Sequence, residues 1–316
     1  MNDTSNNHRI TLGRSGLEVS PICFGTWQLS PAFWGPPDEE EITRAVRRAY
    51  ELGINFYDTA NAYGDGFAET VLGRALAELP RDQVVVATKG YWRWREDGSR
   101  FADLSRDGLV QQCEESLVRL GLDTIDLYQC HAWDPLAEMH GTVEAMEKLK
   151  AQGKIRAYGH SNWSPEQMRL GEAAGGQFDT CQPMYSLLRR DIEKDVLPYC
   201  RANGIGVLVY SPLHHGLLSG KYRGTETFDD LRDGRADFSG TRFKAICDAV
   251  GAVDTIAGRY DLSTVQLVLT ATLMYPAIHC AITGIKRVAH IEDAAGALGR
   301  MISREDWYGL RKILTV

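Results

Sequence analysis

The 316-residue sequence lacks paired cysteines, an excess of basic residues and a long unbroken apolar run. Its seven cysteines are scattered without a CxxC pair, and several lie inside apolar stretches, as is typical of buried thiols in a reduced protein. A formal net charge of −7 and a pI near 5.7 argue against nucleic acid as the main partner. We therefore expect a cytoplasmic protein without disulfides or a zinc site.

The sequence also predicts no signal peptide and no membrane span. The first ten residues, MNDTSNNHRI, have neither the basic start nor the apolar run of a signal peptide. Residues Leu262 to Ile285 contain no Lys, Arg, Asp or Glu, but Pro276 interrupts them and several Ser, Thr and His residues make them too polar to face lipid. This stretch predicts a buried helix followed by a buried strand.

What the sequence does contain is eight short apolar runs that alternate with longer amphipathic segments. The runs are Ile22–Gly25, Ile54–Tyr57, Val84–Ala87, Ile125–Tyr128, Ile155–Tyr158, Thr180–Gln182, Gly206–Val209 and Ile278–Ile282. Several are apolar throughout, as in parallel strands covered on both faces. A doubly wound sheet would normally carry a GxGxxG fingerprint, and none is present. We predict one α/β domain over residues 1–316, a (β/α)8 TIM barrel with an N-terminal β-hairpin cap in RITLGRSGLEVS.

Polar side chains end three of the predicted strands. NFYDTANAYG places Asp58 and Tyr63 after the second strand, VVVATKG places Lys89 after the third, and LYQCHAW places His131 after the fourth. Each has an ordinary structural explanation, such as capping, packing or solvation. Because active sites of such barrels lie at the carboxyl ends of the strands, we expect the four to meet. There the carboxylate would keep the lysine charged, and the lysine would lower the pKa of a proton-donating tyrosine towards the working pH.

With these motifs the chain resembles the aldo-keto reductases, from FGTWQLS to ITGIKRVAHIEDA. The resemblance implies an NADPH-dependent oxidoreductase that reduces aldehydes or ketones to alcohols, with Tyr63 as the general acid. Asp58 and Lys89 would tune the tyrosine, and His131 would orient the carbonyl group. A second interpretation stays open, because the family includes channel-associated subunits that hold NADPH and act mainly as regulatory partners.

The same resemblance assigns residues to the nicotinamide half of the cofactor. Ser161 and Asn162 of GHSNW and Gln182 of CQPMYS would bind the carboxamide, and Tyr210 of YSPLHHGLLSGKY would stack on the ring. His160 stands where the family commonly has a small apolar residue, so the floor under the nicotinamide is expected to differ. The remaining implied cofactor residues are Thr26, Trp27, Ser211, Pro212, Leu213, Gly216, Leu218, Gly220, Lys221 and Gly284.

The adenosine half of the cofactor is assigned to GIKRVAHIEDA, which follows the last predicted strand and opens a helix. Lys286 and Arg287 would meet the adenosine 2′-phosphate, with His290 and Asp293 near the adenine. Ala294 stands where the family commonly has Asn, so one adenine hydrogen bond is expected to be missing.

Aromatic residues after the strand ends predict an apolar pocket for a small carbonyl substrate, with Trp27, Trp92 and Trp133 as its lining. The third loop also carries three arginines, which fit either an anionic substrate or a solvated loop face: Arg93, Arg95 and Arg100. The polar, glycine-rich segment Gly220 to Gly240 predicts a mobile lid. The pair His214-His215 lacks the spacing of a metal site, and no metal is predicted.

Overall fold

Eight parallel strands form a closed barrel in the computed structural model, which describes residues 8–316. With two short hairpins outside the barrel, residues 8–316 form twelve strands: β1 (Ile10–Thr11), β2 (Glu18–Val19), β3 (Ile22–Gly25), β4 (Phe56–Asp58), β5 (Val85–Gly90), β6 (Trp92–Trp94), β7 (Arg100–Ala102), β8 (Ile125–Cys130), β9 (Ile155–Ser161), β10 (Thr180–Gln182), β11 (Gly206–Tyr210) and β12 (Cys280–Gly284). Around the barrel the order is β3, β4, β5, β8, β9, β10, β11 and β12. The predicted (β/α)8 fold is therefore confirmed.

Helices connect the strands and cover the outside of the barrel. They are α1 (Pro31–Trp34), α2 (Glu39–Glu51), α3 (Phe67–Leu76), α4 (Arg106–Leu120), α5 (Met139–Ala151), α6 (Pro165–Ala173), α7 (Val196–Ala202), α8 (Gly240–Arg259), α9 (Thr264–Leu273), α10 (Val288–Ala295) and α11 (Arg304–Ile313). Helix α2 shows how the sequence determines where a helix begins and ends. The Asp38 side chain accepts the amide N–H of Glu41, and Gly53 has φ +84° just beyond the end.

The barrel has two hydrophobic layers because strand side chains alternate between its interior and its exterior. Interior residues such as Cys23, Phe56 and Leu127 pack against Leu12 and Leu17 of the N-terminal hairpin. In that hairpin β1 and β2 pair antiparallel, with Ile10 opposite Val19. The predicted hairpin thus closes the bottom of the barrel and leaves the carboxyl ends of the strands for the functional residues.

All eight predicted barrel strands are present, although most continue one to three residues beyond the predicted end. These extensions matter, because they carry Asp58, Lys89 and Ser161 into the barrel wall. The third loop differs from the prediction: β6 and β7 form an antiparallel hairpin with Trp94 opposite Arg100. The polar segment 1–7, in which the sequence predicts no signal peptide, lies outside the described residues.

The apolar stretch Leu262 to Ile285 contains α9 and β12, as the sequence predicts. None of the helices within residues 8–316 combines the length and the apolar character that a membrane crossing requires. The same residues contain no group of three or more His, Cys, Asp or Glu side chains placed to hold a metal ion.

Candidate active site

A buried ion pair between neighbouring strands forms the base of the site. Lys89 Nζ lies 2.7 Å from Asp58 Oδ1 and 2.8 Å from the carbonyl oxygen of Thr59. Both charged side chains are buried, Lys89 completely. Burial lowers the pKa of Lys89, but the charge of Asp58 and the contact with Tyr63 outweigh this effect and leave the pKa above its ordinary value. The lysine is therefore a fixed positive charge at neutral pH.

Tyr63 and His131 lie above this ion pair and, unlike it, are partly exposed. The Lys89 ammonium donates to Tyr63 Oη at 3.4 Å. The Tyr63 and His131 rings meet edge to face, with centroids 5.7 Å apart. The structure thus brings together the four side chains that the sequence placed at three separate strand ends, two of them buried and two accessible.

The pKa values of the accessible pair follow from burial. Burial raises the pKa of Tyr63, and the charge of Lys89 opposes the rise without reversing it. The predicted lowering of this pKa towards the working pH is therefore wrong in net direction, because desolvation exceeds the effect of the lysine. Burial also lowers the pKa of His131 to about 3, with the charges of Lys89 and Arg100 acting in the same direction. At neutral pH the site presents a protonated phenol beside a neutral imidazole.

Gln182 links the ion pair to the predicted nicotinamide residues, a contact that the sequence did not predict. Its Nε2 donates to Asp58 Oδ2 at 2.9 Å, and its backbone carbonyl accepts the Ser161 hydroxyl at 2.7 Å. Asn162 Nδ2 donates to Ser161 Oγ at 3.0 Å, and Asn162 Oδ1 accepts the Tyr210 hydroxyl at 3.1 Å. One hydrogen-bonded network therefore joins four predicted cofactor residues to a predicted catalytic residue.

Backbone strain is concentrated in the same predicted cofactor segments. Asn162, Ser211, His214 and His215 have φ values between +48° and +60°, a region that residues other than glycine seldom occupy. Such strain persists only where the surroundings hold it, and it is enriched at ligand sites. The ends of β9 and β11 are therefore candidate ligand-binding segments.

The predicted phosphate-binding residues lie at the start of α10 and already have protein partners. Lys286 Nζ donates to the carbonyl oxygen of Trp34 at 2.6 Å. The amide N–H of Val288 donates to Glu41 Oε1 at 2.8 Å, and Arg287, which is exposed, lies near enough for its charge to lower the pKa of Glu41 further. Asp293 accepts the Ser263 hydroxyl at 2.6 Å instead of projecting freely towards an adenine.

Comparison with known proteins assigns the family. The family model described as "Aldo/keto reductase family" matches residues 21–315. The chain belongs to the aldo-keto reductases. It is 38% identical over 308 residues to an aldo-keto reductase of Bacillus subtilis, YhdN, covering 96% of this chain and 92% of the relative.

Two further similarities show how varied the relatives of this aldo-keto reductase are. An Escherichia coli protein named NADH-specific methylglyoxal reductase is 33% identical over 316 residues, covering 94% of this chain and 95% of the relative. The structure of a glycerol dehydrogenase from Gluconobacter oxydans superposes with a TM-score of 0.90 at 32% identity, covering 98% of this chain and 95% of that one. The shared barrel thus carries oxidoreductases named for different substrates, methylglyoxal and glycerol.

His160 does not line the barrel interior of this aldo-keto reductase. Its ring stacks on Trp163 with centroids 4.6 Å apart and an interplanar angle of 4°, and Phe178 lies beside both rings. Neither ring nitrogen has a hydrogen-bond partner among residues 8–316. Because the side chain is on the helix-facing side of β9, the predicted change in the floor under the nicotinamide is not supported by its position.

The predicted pocket-lining tryptophans are all partly exposed and come from three loops. Trp27 packs against Trp34 with centroids 5.5 Å apart and against His215 at 5.7 Å. Trp133 packs edge-on to Trp163 at 5.1 Å, and Trp92 stands on the hairpin of β6 and β7. They give the mouth of the site an aromatic wall.

The segment from Gly220 to Gly240 is better anchored than its composition predicts. Phe228 contacts Phe238 and Phe243, with centroids 5.3 Å and 5.6 Å away, and Phe238 is buried. Arg232 lies over the ring of Trp34, 5.8 Å from its centroid, and Lys286 lies over the same ring. The segment therefore reaches across to the loop after β3, and whether it moves as a lid stays a prediction.

Proposed function

We propose that this aldo-keto reductase reduces aldehydes and ketones to alcohols with NADPH. The observation that carries the proposal is the contact of Tyr63 Oη with the buried Lys89–Asp58 pair, next to a neutral His131. This arrangement offers a carbonyl oxygen two donors from the accessible side of the site. The only carboxylate of the four side chains, Asp58, is held beneath the lysine and is not presented to the carbonyl group.

The residues around Asp58 fit the nicotinamide end of such a cofactor. Gln182 Nε2 is held by Asp58, which leaves Gln182 Oε1, an atom with no hydrogen-bond partner among residues 8–316, to accept an N–H of the carboxamide. Ser161 and Asn162, fixed by their mutual hydrogen bond, lie beside it. NADPH, when bound, supplies the hydride for the reduction.

The protein residues then handle the proton and the orientation of the substrate. Tyr63 Oη would give its proton to the carbonyl oxygen, and its raised pKa keeps that proton in place at neutral pH. Lys89 would stabilise the negative charge that remains on the phenol oxygen. The neutral imidazole of His131 would donate a hydrogen bond to the same carbonyl oxygen and hold it near Tyr63.

The preference for NADPH over NADH is supported by the two cations at the start of α10. Lys286 is partly buried and Arg287 is exposed, and both precede the first turn of the helix. A 2′-phosphate could accept charge-assisted hydrogen bonds from both, whereas a 2′-hydroxyl could not. One relative is named NADH-specific, so the choice needs a direct test in this chain.

Steady-state oxidation of NADPH and of NADH with a panel of aldehydes and ketones tests the function. We expect turnover with both cofactors and a higher kcat/KM with NADPH. Tight binding of NADPH without turnover of any carbonyl compound would favour the regulatory alternative. Equal or better kcat/KM with NADH would contradict the cofactor assignment and leave the reductase activity in place.

A further inference from the structure

The hairpin of β6 and β7 has two different faces. Trp92, Trp94 and Arg100 lie on one face, because Trp94 is paired with Arg100 and strand residues alternate. On the other face, Arg93 forms an ion pair with Asp103 at 2.8 Å and donates to Gln111 of α4 at 2.7 Å. That second face is therefore turned towards α4 and is occupied by protein.

The hairpin is joined to the loop that carries Tyr63, and Arg100 lies beside this connection. Asn61, two residues before Tyr63, donates to the Trp92 carbonyl oxygen at 2.9 Å and ties the base of the hairpin to the loop after β4. The Arg100 guanidinium lies over the Trp92 ring, 4.8 Å from its centroid. Arg100 is also near enough to His131 for its charge to act on that imidazole. An arginine thus stands at the mouth of the site, stacked on an aromatic wall residue.

Arg100 differs from its two neighbouring arginines in having a free guanidinium edge. Arg93 is paired as described, and Arg95 donates to Ser99 Oγ at 3.3 Å and stacks on Phe101. None of the hydrogen bonds and ion pairs formed within residues 8–316 involves Arg100. Stacking occupies the face of a guanidinium and leaves its N–H groups directed outward, in the fork geometry that matches a carboxylate or a phosphate.

The charges around the site leave this arginine uncompensated. The other cation that acts on His131 is Lys89, which is neutralised by Asp58 at 2.7 Å. Asp134, the carboxylate next to Trp133, is buried and accepts the backbone N–H groups of Leu104 and Leu136. Among these groups near His131, Arg100 is the charge without a bonded partner within residues 8–316.

We propose that Arg100 determines substrate specificity and that the preferred substrates are carbonyl compounds with a carboxylate or phosphate group a few atoms from the carbonyl carbon. The inference rests on the proposed function. The carbonyl oxygen meets Tyr63 and His131, the chain of the substrate lies along Trp92 and Trp133, and the anionic group meets the Arg100 edge. Binding energy from a group remote from the reacting carbon then positions that carbon.

Matched substrate pairs test the proposal. The carboxylate 4-oxobutanoate is compared with its neutral methyl ester, and glyceraldehyde 3-phosphate is compared with glyceraldehyde. We expect the wild-type enzyme to prefer the anionic member of at least one pair by about 10-fold or more in kcat/KM, as charge-assisted hydrogen bonds permit. A preference in only one pair supports the proposal and identifies the anionic group. No preference in either pair overturns it.

Variants of the hairpin locate the effect. Arg100→Gln should lower kcat/KM for the preferred anionic substrate about 10- to 100-fold, mainly through KM, and the loss for its neutral counterpart should be at least tenfold smaller. Arg100→Lys should recover part of the loss. Arg95→Gln removes the same charge from the same hairpin on the side of Phe101 and should leave both substrates unaffected. Equal losses for anionic and neutral substrates, or a similar loss in Arg95→Gln, would overturn the assignment.

A binding measurement separates failure of this inference from failure of the proposed function. Calorimetric titration of 4-hydroxybutanoate and of butane-1,4-diol into the protein at saturating NADPH involves no turnover, because NADPH cannot reduce an alcohol further. Tighter binding of the anion that is lost in Arg100→Gln supports the anion site even if no carbonyl compound is reduced. Equal binding of both compounds to the wild-type protein contradicts it, whatever the activity.

Discussion

The two ends of the proposed cofactor groove are built differently. At the nicotinamide end, Asp58, Lys89 and Gln182 are buried, lie in strands of the barrel wall and are bonded to one another. At the adenosine end, Lys286 and Arg287 follow the last strand and are wholly or partly exposed. Lys286 is bonded to a carbonyl oxygen of the loop after β3 that a ligand could replace, and Arg287 lies near Glu41 of α2. We therefore propose that the barrel wall fixes the chemistry, while cofactor choice depends on a few surface residues.

This contrast gives a physical reason why a protein with this barrel could change its cofactor without losing its fold. Changing a buried, fully bonded ion pair leaves an uncompensated charge and costs several kcal/mol. Changing an exposed cation costs the fold little. The comparison therefore predicts large effects on turnover at one end and selective effects on cofactor affinity at the other.

The largest effect is expected for Tyr63→Phe, which removes the proton donor and little else. We expect kcat for a good aldehyde substrate to fall ~10²–10⁴-fold, the usual contribution of a positioned general acid. The Kd of NADPH, measured by fluorescence titration, should change little. Tyr91→Phe is the matched control, since its hydroxyl makes only a 3.3 Å contact with the Trp133 carbonyl oxygen. Near wild-type turnover in Tyr63→Phe would refute the assignment.

Removing both cations at the other end should affect binding instead of chemistry. In the double variant Lys286→Ala, Arg287→Ala, NADPH affinity should fall by a few kcal/mol at most, because charge-assisted hydrogen bonds contribute ~1.5–3 kcal/mol each and exposed ones lie at the lower end. The Kd of NADH should hardly change. The exposed pair Lys148→Ala, Arg169→Ala removes the same charge elsewhere and serves as the control. Parallel losses for NADPH and NADH would show a structural role.

The sequence predicts the features of this contrast that depend on neighbouring residues, but not those that depend on contacts between residues far apart in the chain. The eight strands and the positions of Asp58, Lys89 and His131 follow from local patterns and from the rule that barrel sites lie at strand ends. The bond between Gln182 and Asp58 joins residues 124 positions apart, and the one between Val288 and Glu41 spans 247 positions. Such contacts depend on how the barrel closes, which no local pattern records.

The predicted direction of the pKa shift of Tyr63 is wrong for a related reason. The sequence shows that a lysine is available near the phenol, and this lowering effect is present. It does not show how far the phenol is desolvated, and desolvation is the larger effect in the folded chain. The sequence makes no prediction of a hairpin in the third loop, because WRW and RFA alternate over too few residues. The two faces that separate Arg93 from Arg100 follow only from the strand pairing.

The pH dependence of stability should sharpen the contrast further, because a buried neutral histidine, His160, lies in β9 at the nicotinamide end. Burial, helped by the charge of Arg14, lowers the pKa of His160 to about 3. Between pH 6.5 and 3 the unfolded chain binds a proton at this residue that the folded chain does not, so stability falls as the pH falls. His160→Phe keeps the stack on Trp163 and removes this proton uptake.

For that variant we expect the free energy of unfolding to depend less steeply on pH between 6 and 4, by up to about 1.4 kcal/mol per pH unit. Urea unfolding at a series of pH values gives the slope. His140→Phe, a change at an exposed histidine in α5, is the control and should keep the wild-type slope. An unchanged slope in His160→Phe would mean that His160 is not a buried neutral group.

The smallest effect is expected at Glu41, where the adenosine end carries a charge of the wrong sign for a phosphate. Glu41 Oε1 accepts the Val288 N–H at 2.8 Å and Oε2 accepts Arg44 at 2.7 Å, so the carboxylate is held near Arg287. A 2′-phosphate bound by Arg287 would face this carboxylate. Glu41→Gln keeps an acceptor for the Val288 N–H and removes the charge.

We therefore expect Glu41→Gln to lower the Kd of NADPH about two- to fivefold, a modest change because exposed charges are screened by solvent. The Kd of NADH should stay the same, and Glu40→Gln, a change at an exposed neighbour, should affect neither cofactor. If the carboxylate acts through the phosphate held by Arg287, the gain should disappear when Arg287→Ala is combined with Glu41→Gln, since residues that share a partner are not additive. A gain that persists in the double variant would place the effect of Glu41 on the helix itself and not on the phosphate.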